Sequence, residues 1–384
     1  MSYVRRISTR SLIAVIVAIC VVAVGGAAIA VAAGGTGSTP PPKPLDQALQ
    51  DALTATPPDG MTARITFTNK LFPSGALLGQ TASALMTGAS GRMWITSDGH
   101  GRIELQSDAG DVQVVWDPQT ISVYDASSNT VYRADLPVDQ GSATTAPAPT
   151  LAEIDSFLTE LGTHWATSGP DPTNVGGQPA YSASLSPKHD GGLLGSVELA
   201  WDAATGAPLR VGIDAQGSSS PVLELALSDV SYGTVASSDV DVAPPAGAKV
   251  VDLGSGTAPA GGSGTPVSGL AAVQAAAAFP VVAPPTLVGL PLRDVRLTGG
   301  GDTAVALYGE GLGGIVLVER KADGSGDQSG MLSGLPTVAL DGLTAHELST
   351  QLGTVLTWDS GGTSFVLAGS QPAAAAEAAA RAVK

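Results

Sequence analysis

Residues Gly195 to Gly217 read GSVELAWDAATGAPLRVGIDAQG. Val197, Leu199 and Trp201 alternate with Ser196, Glu198 and Asp202. After the break, Leu209, Val211 and Ile213 alternate with Arg210, Gly212 and Asp214. A period of two is that of a β-strand, whose successive side chains point to opposite faces. The intervening DAATGAP is rich in turn formers, so the stretch predicts an antiparallel hairpin. One face of that hairpin is apolar and the other is polar.

The same pattern extends on both sides. From Met61 to about Leu136 come TARITFTNK, GRMWITSDG, GRIELQSD, VQVVWD, TISVYD and TVYRADL, separated by SDGHG, SDAGD, DPQ and ASSN. Short alternating runs joined by tight turns predict an antiparallel meander. Before it, LDQALQDALTA places Leu45, Leu49 and Leu53 at helical spacing. After it, TLAEIDSFLTELGTHW predicts a second helix, with Thr150 and Glu153 as a capping box and Leu151, Ile154, Leu158 and Leu161 on one face. Strands resume at PAYSASLS, the hairpin and PVLELALSDVSY, and end near APPAGAKVV.

DLGSGTAPAGGSGTP then reads as a flexible linker. Beyond it, GLAAVQAAAAF, RDVRLTG, TAVALYG, GIVLVERK, GTVLTWDS, TSFVLAGS and PAAAAEAAARAVK predict a smaller unit of strands between two helices. The expected organisation is an N-terminal apolar segment over 1–33, a Gly/Pro spacer over 34–44, a first domain over 45–251, a linker over 252–267 and a second domain over 268–384.

Arg5, Arg6 and Arg10 precede an uncharged run from Leu12 to Ala33. A run of about 20 apolar residues is long enough to span a bilayer. Ala30-Val31-Ala32 supplies a small-residue cleavage pattern, so a signal anchor and a cleaved signal peptide both stay open. Either reading puts the rest of the chain outside the cytoplasm. The lone Cys20 lies inside the run, so no disulfide joins two parts of the chain. Ile19 stands where a lipoprotein cysteine wants a small residue, which leaves Cys20 as an apolar member of the segment.

The formal net charge is −16, and three of the basic residues precede the apolar run. So acidic a body repels phosphate backbones, which excludes nucleic acid as a partner. Catalytic signals are weak. Gly309, Gly311 and Gly314 satisfy G-x-G-x-x-G, but the β-branched IVLVER follows where a dinucleotide site needs a helix N-terminus, so the glycines are read as a turn between strands. His100, His164, His189 and His346 are scattered, and the chain has no H-E-x-x-H and no G-x-S-x-G. Asp323 and Asp327 sit in a Gly/Ser loop without the glutamate or length of a calcium loop. Glu153 and Asp155 read as a solvated helix face. No catalytic residue, metal or cofactor is assigned.

What remains is apolar surface. Trp94, Trp116, Val197, Leu199, Trp201, Leu209, Val211, Ile213, Leu223, Leu225 and Leu227 are the candidates for an apolar cavity. The apolar connection Lys70 to Met86, with Leu71, Phe72, Leu77, Leu78, Leu85 and Met86, is the candidate cover. One reading makes these residues core and cover. The other makes them a dry cavity for acyl chains, in which each buried methylene contributes about 0.8 kcal/mol.

The ordered motifs resemble the LolA-type lipoprotein-carrier fold. GRMW at Gly91–Trp94, the D-x-x-T-x-x-x-Y set at Asp117, Thr120 and Tyr124, the hairpin with Asp202 and Gly206, and the PP-x-G tail at Pro244, Pro245 and Gly247 carry the likeness over about Leu45 to Asp252. VALYGEGLGGIVLVER and FVLAGSQPAAAAEAAARAV resemble the small C-terminal domain of RseB/MucB-type sigma-factor regulators. The resemblance implies a mainly β (α+β) chain: an unclosed antiparallel β half-barrel with covering helices, plus a smaller α+β C-terminal domain. It implies a non-enzymatic lipid or lipoprotein acyl-chain carrier or, alternatively, a regulator that binds a membrane anti-sigma factor.

Overall fold

The computed structural model describes residues 38–71, 84, 88–136, 150–188, 192–255, 267–298, 301–322 and 335–383. The N-terminal segment 1–33, most of the Lys70–Met86 connection, His189, the Asp323/Asp327 loop and most of the linker lie outside the described residues.

Helix α1 (Leu45–Thr54) leads into a meander of β1 (Gly60–Asn69), β2 (Ala89–Thr96), β3 (Gly101–Ser107), β4 (Gly110–Trp116), β5 (Thr120–Asp125) and β6 (Thr130–Asp135). Helix α2 (Leu151–His164) begins at the capping box: Glu153 N–H donates to Thr150 Oγ1 at 3.3 Å, and Thr150 N–H donates to Glu153 Oε2 at 2.8 Å. Then follow β7 (Trp165–Val175), β8 (Gln178–Pro187), β9 (Leu194–Asp202), β10 (Pro208–Ala215), β11 (Leu223–Tyr232), the short α3 (Ser237–Val240) and β12 (Lys249–Ser255).

These twelve strands form one open sheet in the order β12-β6-β5-β4-β3-β2-β1-β11-β10-β9-β8-β7. All neighbours are antiparallel except β12, which lies parallel to β6. Because β1 pairs with β11, cross-strand rows run through both halves. One row is Ala183, Leu199, Val211, Leu225, Phe67 and Ala89. Another begins Leu227, Ile65, Gly91 and Leu105, and Ala63, Met93, Ile103, Val114 and Val123 form a third. These rows make one apolar face. Ala84, wholly buried, packs in the same core.

A second open, antiparallel sheet of eight strands follows α4 (Leu270–Ala276). Its strands are β13 (Thr286–Leu287), β14 (Leu290–Thr298), β15 (Thr303–Tyr308), β16 (Ile315–Lys321), β17 (Thr337–Leu340), β18 (Leu343–Thr350), β19 (Gly353–Ser360) and β20 (Thr363–Gly369). They are ordered β13-β14-β15-β16-β20-β19-β18-β17. Helix α5 (Ala373–Ala382) closes the chain and buries Ala376, Ala379 and Ala380 in this sheet's core. The chain is mainly β, as expected. Gly309 to Gly314 form a turn between β15 and β16, with one 3-10 turn at Gly311–Gly313.

Three elements depart from the expectation. Trp165 opens strand β7 rather than ending a helix, and β7 carries Pro170 and Pro172 because an edge strand can spare the N–H groups. The segment expected to open the linker continues as β12 to Ser255. A hairpin of β17 and β18 was not anticipated. Its Asp341-Gly342 turn takes φ 47° and 92°, the left-handed pair that two-residue hairpin loops require.

Candidate functional site: an apolar cleft where the first and last strands meet

The cleft opens at the Gly60 end of β1. Its floor is Met61 on β1, Met93 and Ile95 on β2, Leu209 and Val211 on β10, and Leu225 and Leu227 on β11. Pro57 and Pro58, between α1 and β1, form one rim, and the Ala207-Pro208 turn forms the other. The depression holds about 600 Å³, counting the part open to solvent. Among the described residues, Thr96 and Arg210 are the polar side chains on its lining. Thr96 is engaged elsewhere, with its hydroxyl on Asp98 and the His100 carbonyl. Arg210 is held by Glu224 (2.6 Å) and Glu198 (3.1 Å).

The rims are fixed by local chemistry. At the hairpin turn, the buried Asp202 accepts the N–H groups of Ala204 (2.8 Å) and Thr205 (2.7 Å) on Oδ1. Tyr232, at the end of β11, donates its hydroxyl to Asp202 Oδ2 at 2.9 Å. Burial, reinforced by the Asp202 charge, pushes the Tyr232 pKa far up, so the phenol stays a donor. Gly206 follows at φ 70°, and a Cβ there would stand 2.3 Å from the Ala52 carbonyl oxygen of α1. The turn and the helix therefore meet backbone to backbone. At the strand junction, a Cβ on Gly60 would lie 2.6 Å from the Gly233 carbonyl oxygen.

Of the eleven residues expected from the sequence, Leu209, Val211, Leu225 and Leu227 line the cleft. Val197, Leu199, Trp201, Ile213 and Leu223 share its face but not its lining. Trp201 is buried against Tyr181, with ring centroids 6.2 Å apart, and against Ala48 of α1; Leu199 packs on the same cluster. Trp116 fills the core over Gly101, where a Cβ would sit 2.0 Å from its ring. Trp94 lies on the opposite face, opposite Thr62 and Arg102, with the Arg102 guanidinium 5.2 Å from its ring centroid. The physical reason is strand parity: Gly91, Met93 and Ile95 hold the cleft-side positions of β2, so Trp94 must face away.

Met61, Met93 and Ile95 were missed because their place beside β10 depends on the β1–β11 pairing, which joins residues as distant in sequence as Met61 and Tyr232. Two unbranched methionines, Met61 and Met93, both buried at the base of the cleft, were the available signal, since Met adapts to irregular surfaces. Among the described residues, no group of three His, Cys, Asp or Glu could hold a metal ion. The lining can exclude water and take up apolar matter. Among its described residues there is no nucleophile paired with a base.

No family model matches the chain, and no curated protein matches it. Solved structures do. The crystal structure of MucB in complex with MucA(peri) is 17% identical with a TM-score of 0.42, covering 88% of this chain and 97% of that one. The Pseudomonas aeruginosa MucA/MucB complex is 18% identical with a TM-score of 0.42, covering 87% and 96%. A putative outer membrane lipoprotein-sorting protein domain from Vibrio parahaemolyticus is 11% identical with a TM-score of 0.23, covering 51% and 95%. Likenesses at this level carry no argument about activity, which rests on the site itself.

Proposed function

We propose that this chain is a non-enzymatic, extracytoplasmic binding protein that holds a lipid or lipoprotein acyl chain in the cleft. The observation that carries the reading is the lining: seven apolar side chains from four strands, with no polar group among the described residues free to be desolvated at a cost. Each methylene buried there contributes about 0.8 kcal/mol before the entropy of association is subtracted. Half-buried Val197, Leu199 and Leu223 continue the same face beyond the cleft, where a longer chain can lie. The two sheets, each with its own apolar core, are read as two domains.

The test is uptake of a fluorescent fatty acid by delipidated protein. Leu225→Lys places an ammonium on the floor and is expected to weaken uptake at least tenfold while circular dichroism stays unchanged. A parent protein that takes up no fatty acid overturns the reading.

One observation supports a protein partner as well. The two stretches similar to the C-terminal domain of RseB-type regulators fold as neighbours, β15-β16-β20 with α5 behind them. A membrane anti-sigma factor is the partner that this reading names. Crosslinking of the full chain in its native membrane that recovers no such protein removes it.

A further inference from the structure

Glu319 lies on the inner face of β16 and is wholly buried, 0% exposed, in the eight-stranded sheet. Its cross-strand neighbours are Ala304 on β15 and Phe365 on β20, and Phe365 stacks on Trp358 at 5.1 Å. Oε2 accepts the Val282 N–H at 2.8 Å, whereas Oε1 has no hydrogen-bond partner. A buried carboxylate with one unmatched oxygen is costly in its charged form.

Val282 belongs to the segment 277–285, which joins α4 to β13. Phe279, Val281 and Ala283 are buried in the sheet's core. Gln274 Nε2 anchors the segment from α4 by donating to the Val281 carbonyl at 3.1 Å. Backbone bonds pin its two ends to the sheet: Ala278 N–H donates to the Gly301 carbonyl at 3.3 Å, and Leu292 N–H donates to the Pro285 carbonyl at 2.9 Å. Between those ends, among the described residues, the bond from Val282 to Glu319 is the polar tie to the strands.

Among the described residues, the surroundings offer Glu319 no counter-charge. The segment itself and α4 carry no titratable residue. The inward positions of β20 (Phe365, Leu367) and β19 (Leu356, Trp358) are apolar, and β14 turns Val295 to the core. Helix α5 turns alanines inward and pairs Glu377 with Arg381 at 2.8 Å. On β18, burial and the Glu377 charge push the Glu347 pKa up. From β15, Tyr308 is buried with its hydroxyl unpartnered.

We propose that segment 277–285 is a strap gated by Glu319, closed over the sheet while the carboxyl is neutral and released as it ionises. Release would bare the apolar inner face of the second sheet. Burial raises the Glu319 pKa to about 7, against the lowering effect of the Val282 N–H, so the gate operates near neutrality. The sign follows from linkage. The closed form binds the proton more tightly than the open form, in which a glutamate titrates near its usual value of about 4.3–4.5. Closure is therefore fully favoured below about pH 4.5, weakens as pH rises, and levels off above about pH 7. Between pH 5 and pH 8 the opening constant rises by about 70-fold.

Amide hydrogen exchange of the full chain, corrected for the intrinsic pH dependence of exchange, reads this at Val281, Val282 and Ala283. The parent should lose protection by about 70-fold from pH 5 to pH 8. Glu319→Gln, of the same shape but without the titration, should give a flat profile. Tyr308→Phe should keep the parent profile. Corrected protection that is independent of pH in the parent overturns the proposal by itself, and so does a Glu319→Gln profile as steep as the parent's.

Discussion

Tyr232→Phe isolates the clamp that shapes the cleft's hairpin rim. The substitution keeps the ring, which packs beside Met61, and removes only the hydroxyl that donates to Asp202 Oδ2 at 2.9 Å. Asp202 is only 2% exposed, so water cannot readily replace the lost donor. Its other oxygen is already committed to the Ala204 and Thr205 N–H groups. A hydrogen bond to a charged group contributes about 1.5–3 kcal/mol, and an orphaned acceptor in a buried site brings the loss to the upper part of that range. Thr205 Oγ1, 3.4 Å from the phenol oxygen, is the group that can move in to recover a fraction. The expected destabilisation is therefore about 2 kcal/mol. It is read from urea unfolding at pH 7, followed by tryptophan fluorescence, with an unchanged slope. Asp202→Asn keeps an acceptor for the turn and removes the charge. A cycle with Tyr232→Phe should give a coupling of about 1 kcal/mol or more. A Tyr232→Phe protein within about 0.5 kcal/mol of the parent would refute the clamp.

Two further substitutions test close backbone approaches. Gly206→Ala forces a side chain to φ 70° and places its Cβ 2.3 Å from the Ala52 carbonyl oxygen, so α1 must shift off Trp201. A loss of at least about 2 kcal/mol and a red-shifted tryptophan emission are expected in urea unfolding and fluorescence. Gly192→Val acts between the sheets, where Leu193 N–H donates to the Ser370 carbonyl at 3.0 Å and a Cβ on Gly192 would fall 1.7 Å from that oxygen. X-ray scattering should show a larger radius of gyration with circular dichroism unchanged, and identical scattering would remove the idea that this contact holds the sheets together.

The hairpin was legible because its two faces differ at all but Ala200 and Gly212 and its turn carries the aspartate and glycine the geometry uses. Asp202 takes two N–H groups and Gly206 takes a positive φ, so side-chain chemistry and backbone shape point the same way. Strand β7 was illegible for a comparable local reason. Pro170 and Pro172 argue against a strand everywhere except at an edge, and edge position is a property of the whole sheet. The β17–β18 hairpin carried a readable signal in Asp341-Gly342, but its flanks alternate weakly, with His346 opposite Thr337. In β2 the parity of GRMWIT was ambiguous, since Met93, Trp94 and Ile95 are all apolar. It is resolved by Gly91, which stands opposite both Ile65 and Leu105 and has no room for a Cβ beside the Glu104 carbonyl.

Whether an apolar sheet face is open or filled is a different kind of fact, because alternation produces both. In the eight-stranded sheet Leu317, Leu356, Leu367 and Trp358 are fully buried, since an alanine-faced helix lets its backbone approach closely and a strap closes the remainder. In the twelve-stranded sheet the equivalent positions Val197, Leu199, Val211, Leu223 and Leu225 stay half-buried. The described cover there is meagre. Helix α1 buries one alanine, Ala48, and the fourteen residues of α2 bury only Ile154. Phe157 and Leu53 remain 58% and 59% exposed on the same two helices. Among the described residues, then, the face proposed for a ligand is one that helices cover sparsely, over strands of ordinary composition. Because strand patterning is blind to helical cover, the sequence could nominate the face but not the cleft within it. The opening lies where Pro57 and Pro58 carry the chain from α1 into β1, and where first and last strands join.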